Sequence, residues 1–516
     1  MDKKIFVYDT TLRDGMQGVG SHFTIEDKKR ITALLDSLGV PFIECGAPGF
    51  NPKDQQFFEY LESHPLRNSK AVAFGSTCRA DVPCEEDANL QALINCFAEY
   101  VCIFGKSSEF QAKAVLGISK EKNLEIIRRS IEYLRKNGKH VLYDAEHFFD
   151  GYADDREYAV STIKAAKEAG AELICLCDTR GAAMPEEIKA VFESDEIKEC
   201  GPVGIHAHND IGFAAINTIE AARHGAEFVQ VTLMGIGERC GNADFFTVIP
   251  TMKLKLGMDC VSDECISEIT QSYYKAADLL NIKAYAREPY VGRDAFSHKG
   301  GIHIDGVLKD SRTYEHINPE AVGNHRRSVL SEVSGKAAVI SKIKKIMPGV
   351  EISSEDAEKV VMALKNMELE GFQYEGADAS FEILVRKTLG LSKEFFRLDS
   401  YRVTAVNAKS SAIVDVLVGD EEAVTSADGN GPVDVLDSSL RKALSKFYPG
   451  ISNMHLVDYK VRVLDSKRGT ASKVRVLIES TDGKHNWVTV GMSEDIIEAS
   501  KMALLDSHEY LLYSLM

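Results

Sequence analysis

The sequence predicts an α/β protein: a (β/α)8 TIM barrel, then helical connecting subdomains, then a C-terminal α+β regulatory domain with an internal repeat. Three observations carry this. Eight short apolar runs alternate with amphipathic segments between Ile5 and about Met252, the pattern of a parallel barrel wrapped by helices. From about Tyr401 the apolar period changes to two, which reads as a sheet domain of different construction. Ionisable clusters also follow several of the eight runs, where a barrel keeps its chemistry.

The eight runs are Phe6-Val7-Tyr8, Phe42-Ile43-Glu44, Ala71 to Phe74, Tyr100 to Ile103, His140 to Tyr143, Leu173 to Cys177, Gly204 to Ala207 and Phe228 to Leu233. The first helix shows how the segments between them are specified. Thr24 and Asp27 make a capping-box start, Ile31, Leu34, Leu35 and Leu38 form one apolar stripe, and Gly39 ends it. The opposite face is charged and is expected in water. From Cys260 to about Met367 the chain reads as helical with glycine and charge clusters, without alternating strands. The tail then repeats itself: paired strands (Tyr401 to Val406, Ala412 to Val418) lead to Val424-Thr425 and a helix from Val435 to Phe447. A second set (Val457 to Leu464, Val474 to Ile478) leads to Val488-Thr489-Val490 and a helix from Ile496 to Leu512. Such a two-copy module points to dimerisation or ligand sensing. The expected domains are residues 1–259, 260–390 and 391–516.

Size and charge narrow the possibilities. At 516 residues the chain exceeds what one hydrophobic core supports. A net charge of -17 argues against a general nucleic-acid or anionic-membrane surface, leaving room for a local basic patch. No apolar run reaches membrane-spanning length. Only four residues precede Ile5, so no signal or transit peptide is expected. The 11 cysteines are odd in number and scattered, and the one close pair, Cys175 and Cys177, lies within an apolar run. Reduced thiols in a cytoplasmic protein are therefore expected.

Chemistry-bearing residues gather at predicted strand ends. Arg13 and Asp14 follow the first strand, where Asp14 could ligate a divalent metal and Arg13 could stabilise developing negative charge. His206 and His208 sit two apart at the end of the seventh strand, so both imidazoles share a face. After the eighth strand, Asn242 could complete a mixed nitrogen and oxygen site through its carbonyl, because strands seven, eight and one become neighbours on closure. Glu238 and Arg239 are expected to form a local ion pair. Glu146, with Tyr143, lies at the end of the fifth strand, and Asp178-Thr179 at the sixth. Downstream, Ser297-His298-Lys299-Gly300-Gly301-Ile302-His303-Ile304-Asp305 and Tyr314 gather ionisable groups around a diglycine, as a loop reaching over a site would.

Together, DTTLRDG (residues 9–15), HAHND (206–210), GERCGN (237–242) and HKGGIHID (298–305) resemble the Claisen-condensing acyltransferases among the metal-dependent, aldolase-related barrel enzymes. That group includes the 2-isopropylmalate and homocitrate synthases, and the resemblance extends over nearly the whole chain, into a tail similar to the group's leucine- or isoleucine-binding domain. Ala73 to Thr77, Phe104 to Ser107 and Tyr143 to Tyr152 most resemble the citramalate-forming branch, which implies pyruvate and acetyl-CoA as substrates. The same resemblance implies a divalent metal (Mg2+, Mn2+ or Zn2+) on Asp14, His206 and His208 with Asn242, and a homodimer. It implies catalytic roles for Arg13, Glu146, His303, Asp305 and Tyr314, substrate contacts for Arg13, Tyr143 and Thr179, and isoleucine or leucine as an allosteric ligand of the tail. His303, poised by a neighbouring carboxylate, is the expected base. Arg180 and Asp244 stand where Asn is common in that branch, and Asp244 is expected to add a carboxylate near the metal.

Overall fold

The computed structural model describes residues 4–328, 336–374, 376–407, 409–464 and 472–516. Eight parallel strands close into a barrel: β1 (Phe6–Asp9), β2 (Phe42–Gly46), β3 (Lys70–Ser76), β4 (Tyr100–Lys106), β5 (His140–Glu146), β6 (Leu173–Asp178), β7 (Val203–Ala207) and β8 (Phe228–Val231). Closure is made by β1 against β8, with Phe6 opposite Phe228 and Asp9 opposite Val231. The period of two sorts each strand into two faces. Tyr8, Val72, Phe74, Cys102, Leu142, Cys175, Cys177 and Phe228 fill the barrel interior, and the intervening residues pack outward against the helices. The interior is a packed core, which forces any site to the ends of the strands.

The first helix, Ile25–Ser37, carries its capping box: Thr24 Oγ1 accepts from Asp27 N at 3.2 Å, and the Asp27 carboxylate accepts from Thr24 N at 2.9 Å. Its apolar stripe is buried as expected. Its charge is not all in water, because Lys28 is fully buried. The Lys28 ammonium donates to Asp54 Oδ1 at 2.6 Å, Cys45 O at 3.0 Å and Leu12 O at 3.3 Å. Three acceptors match its three donors, which is how a charged group persists inside.

The chain divides into two compact units, one comprising Met1–Phe296 with Ile317–Arg326, the other Ser297–His316 with Arg327–Met516. The first unit runs past residue 259, because helix Ile269–Leu279 buries Ile269, Tyr273 and Ala276 in the cluster that holds the barrel's outer layer.

In the second unit β9 (Ser297–His298) pairs in parallel with β10 (Arg327–Ser328). Helices Lys336–Ile346, Ser354–Glu370 and Asp378–Thr388 share a core cluster with Val490 and Met492. Two three-stranded antiparallel sheets follow: β11 (Arg397–Val406), β12 (Lys409–Val418) and β13 (Glu421–Gly429), then β14 (His455–Val463), β15 (Val474–Thr481) and β16 (Asn486–Ser493). The Val424-Thr425 and Val488 to Val490 segments are thus third strands, so each copy is β-β-β-α. Helices Pro432–Leu444 and Ile496–Ser514 complete the copies. The repeat extends to single bonds: Thr425 Oγ1 donates to Ser439 O at 2.8 Å in the first copy, and Thr489 Oγ1 to Ala503 O at 2.8 Å in the second. The turn at Asp428 to Pro432 is the strand-to-helix connection, with Pro432 in the first helical turn, where its missing N–H costs nothing.

Lys28→Ala leaves the Asp54 carboxylate buried without its cation, and is expected to destabilise the first unit by about 3–5 kcal/mol. Denaturant unfolding followed by tryptophan-independent far-UV dichroism measures this, with the double variant Lys28→Met/Asp54→Leu recovering much of the loss.

Candidate active site at the barrel mouth

The site is built from inward-facing positions at the carboxyl ends of the strands. Asp9 points outward from β1 and shapes the turn that follows, accepting from Thr11 N and Thr11 Oγ1, both at 2.9 Å. Thr11 Oγ1 in turn accepts from Leu233 N at 2.8 Å, fastening the loop after β1 to the loop after β8. The turn delivers Arg13 and Asp14 to the mouth. The Arg13 guanidinium donates from Nε to Glu44 Oε2 and from Nη1 to Asp14 Oδ2 at 2.9 Å, with Asp144 Oδ2 4.0 Å from Nη2. It stacks on Phe74, 3.8 Å from the ring centroid. Glu44 also accepts from Tyr8 OH and Thr10 Oγ1, each at 2.6 Å. Burial opposes the Arg13 charge, but Glu44, Asp14 and Asp144 outweigh it and the group is held more firmly protonated than usual.

Asp14, His206 and His208 converge, with one ligand atom from each lying within 4.8 Å of the others and all three residues buried. Asp14 Oδ2 is 3.7 Å from His206 Nε2 and 3.9 Å from His208 Nε2, and the two Nε2 atoms are 3.2 Å apart. Burial pushes the Asp14 carboxyl up, yet Arg13 and the two histidines overcome this and hold it well below the usual carboxylate range. Burial acts the other way on the imidazoles, lowering His206 to about 3 and His208 as well. Near neutral pH the three residues are one carboxylate and two neutral imidazoles, the protonation states that divalent-metal coordination requires. A buried mixed oxygen and nitrogen donor set of this kind fits Mg2+, Mn2+ or Zn2+. His208 Nδ1 and Asn242 Oδ1 are buried there without hydrogen-bond partners.

Asn242 stands beside the triad as a donor. Its Nδ2 gives hydrogen bonds to Asp14 Oδ1 at 2.8 Å and Ile236 O at 3.1 Å, leaving Oδ1 as its oxygen available to a ligand. Gly237 permits this approach, since a Cβ there would lie 2.1 Å from Asn242 Nδ2 and 3.0 Å from Asp14 Oδ1.

On the far wall, Glu146 Oε2 accepts from the Lys106 ammonium, and Thr179 Oγ1 accepts from His147 N at 2.8 Å. Tyr143 is not at the mouth. It occupies an outward position of β5, fully buried against Gly105 and Ile127 in the layer between strands and helices, so its predicted substrate contact is corrected. The residue beside it, Asp144, faces inward. Arg239 forms the expected ion pair with Glu238, at 3.6 Å, and makes its shorter contacts to Asp210, at 2.7 and 2.9 Å. Asp244 adds no carboxylate to the triad. Its Oδ2 accepts from Thr247 Oγ1 at 2.8 Å, and burial, then Glu288, push it up to about 7. Arg180 is largely exposed, 3.6 Å from Asp150.

His303, Asp305 and Tyr314 belong to the second unit. The His303 ring stacks on Tyr314 with centroids 4.2 Å apart, while Asp305 accepts from Lys309 Nζ at 2.6 Å. The buried histidine and carboxylate that pair in this segment are His298 and Glu315, at 3.2 Å. The expected carboxylate support for His303 therefore falls on its neighbour.

Glu44, Asp144 and Gln230 were not singled out by the sequence reading. All three are inward positions on strands already identified, each two residues from another inward position on its own strand: Phe42 for Glu44, Glu146 for Asp144 and Phe228 for Gln230.

Three family models divide the chain: HMGL-like over residues 4–280, homocitrate synthase post-HMGL domain-like over 290–371, and LeuA allosteric (dimerisation) domain over 375–512. The chain is 43% identical over 520 residues to the (R)-citramalate synthase of Aquifex aeolicus, covering 99% of this chain and 98% of that one. It is 44% identical to the (R)-citramalate synthase of Geobacter sulfurreducens, covering 98% and 97%. A probable 2-isopropylmalate synthase of Methanopyrus kandleri is 31% identical, covering 98% of each chain.

Gly237→Ala is expected to displace Asn242 and Asp14 and to weaken divalent-metal binding by about 10-fold or more, the scale of lost supporting contacts at metal sites. Calorimetric titration with Mn2+ reads this, alongside a circular dichroism spectrum unchanged from the native chain.

Proposed function

The chain belongs to the HMGL-like family, in the group that joins this barrel to a LeuA allosteric (dimerisation) domain, and from that premise we propose that it is a citramalate synthase. It condenses acetyl-CoA with pyruvate and hydrolyses the thioester to release citramalate and CoA, supplying isoleucine biosynthesis through 2-oxobutanoate. The observation that carries the reading is the buried Asp14, His206 and His208 triad with Arg13 hydrogen-bonded beside it, in a chain similar along its whole length to named citramalate synthases.

Asp14, His206 and His208 would hold a divalent ion, with Asn242 alongside, and that ion would supply a Lewis acid for the ketone of a 2-oxo acid. The chain's own residues do the rest. His303, with Tyr314 stacked on it, removes a methyl proton from the acetyl thioester. The carbanion carbon bonds to the pyruvate ketone carbon, and the ketone oxygen becomes an alkoxide that Arg13 meets with its fixed positive charge. Because Arg13 is already desolvated and clamped, little reorganisation accompanies that encounter. The alkoxide takes up a proton, and water cleaves the thioester to give a carboxylate and free CoA thiol. Glu146, neutralised by Lys106, and Thr179 line the far wall for substrate and water. Asp305 contributes from the helix that carries His303. The tail forms a homodimer and takes isoleucine as its allosteric ligand.

Thiol release from acetyl-CoA, assayed with pyruvate, 2-oxoisovalerate, 2-oxoglutarate and oxaloacetate, is expected to favour pyruvate; preference for any other acid refutes the assignment, and preference for 2-oxoisovalerate points to 2-isopropylmalate synthesis. Asp14→Ala and His206→Ala are each expected to abolish metal-dependent turnover. Inhibition by isoleucine in a kinetic titration, with leucine as the comparison, tests the tail, and indifference to both leaves it a dimerisation role alone.

A further inference from the structure

Below the triad lies a chain of buried polar groups that the proposed reaction does not use. Gln230, inward-facing on β8, donates from Nε2 to Asp144 Oδ1 at 3.0 Å, and its Oε1 is 2.9 Å from His206 Nδ1. Asp144, Gln230 and His206 are 4%, 2% and 5% exposed, so water does not compete for these bonds. A primary amide has one donating and one accepting end. With its NH2 anchored on the ionised Asp144 carboxylate, Gln230 offers His206 its carbonyl. A carbonyl cannot donate, so the imidazole carries its proton on Nδ1. His206 Nε2 is then left with its lone pair, directed at His208 Nε2 and the Asp14 carboxylate. A glutamine rotated the other way would offer NH2 to Nδ1 and move the proton to Nε2, where it would block ligation.

We propose that Gln230 is a positioning residue for the metal site: anchored by Asp144, it selects the Nδ1–H tautomer of His206 and thereby keeps Nε2 free to bind a divalent cation. The inference rests on reading Asp14, His206 and His208 as that site. It also gives Asp144 a purpose beyond its place opposite Arg13, since it orients the amide from one side of the barrel to the other. Gln230 touches neither of the reacting carbons and acts through His206.

The test uses the full-length chain and two readouts. Mn2+ titration followed by electron paramagnetic resonance gives metal affinity, and 15N-histidine NMR of the metal-free protein gives the His206 tautomer, its signal assigned by its loss in His206→Asn. Gln230→Met removes both ends of the relay and is expected to weaken Mn2+ binding by about 10- to 100-fold, with the His206 nitrogens becoming a tautomer mixture. Gln230→Glu keeps an accepting oxygen for Nδ1–H and is expected to retain the native tautomer, which separates loss of the relay from loss of packing. Gln230→Met that binds Mn2+ as tightly as the native chain, with an unchanged His206 spectrum, overturns the inference. Failure of the native chain to bind Mn2+, Mg2+ or Zn2+ would instead remove the metal reading, and the His206 spectra would still decide the role of Gln230.

Discussion

The Arg13 guanidinium lies almost out of reach of water and yet keeps its charge, because Glu44 and Asp14 hydrogen-bond it while Phe74 covers its face. Much of the barrel mouth follows from satisfying that one group. Glu44 is buried beside it, and Tyr8 on β1 and Thr10 just beyond that strand donate hydroxyls to the same carboxylate. Asp14 is tied to the same cation and so presents its carboxylate to the two histidines in a fixed direction. A planar guanidinium that bridges two carboxylates while stacked on a ring is a role that lysine cannot take over.

Burial then divides the remaining groups by charge. It disfavours imidazolium and leaves His206 and His208 neutral, while the Arg13 guanidinium and the hydrogen bond from Asn242 keep Asp14 ionised against the same pressure. Opposite outcomes for acid and base within a few ångströms produce a donor set with one negative charge. Asp144, which lacks so close a cation, is pushed up to about 7 by burial and then by Glu44. The site is thus polarised, with firm charge at Arg13 and Asp14 and weakly held charge deeper in the barrel.

Most of this architecture was legible in the amino-acid order. Eight apolar runs marked the strands, and the His-x-His spacing brought His206 and His208 to one face together with the prediction that they meet Asp14. Tyr143 failed by one residue: in a buried parallel strand both faces are apolar, so the pattern does not say which parity points inward, and Asp144 takes that place. Lys28 and Asp54 were hidden because a charged residue on a helix reads as solvated until its partner, 26 residues on, folds over it. Gln230 carries no motif of its own. Its meaning arises only from neighbours on β5 and β7. Pairings such as His298 with Glu315 depend on loop paths that hydrophobic periodicity does not describe.

The hydrogen bond from Asn242 to Asp14 joins residues 228 positions apart, and the seam between Thr11 and Leu233 spans nearly as much. During synthesis from the N-terminus, Asp14 leaves the ribosome long before either histidine or the asparagine that steadies it. No partial barrel can present the triad. The donor set therefore arrives with ring closure, and a truncated or stalled chain would carry Arg13 and Asp14 without the two imidazoles beside them. The meeting of Asp14, His206, His208 and Asn242 is thus a signature of the closed eight-stranded ring, written into the order in which the four residues are encoded.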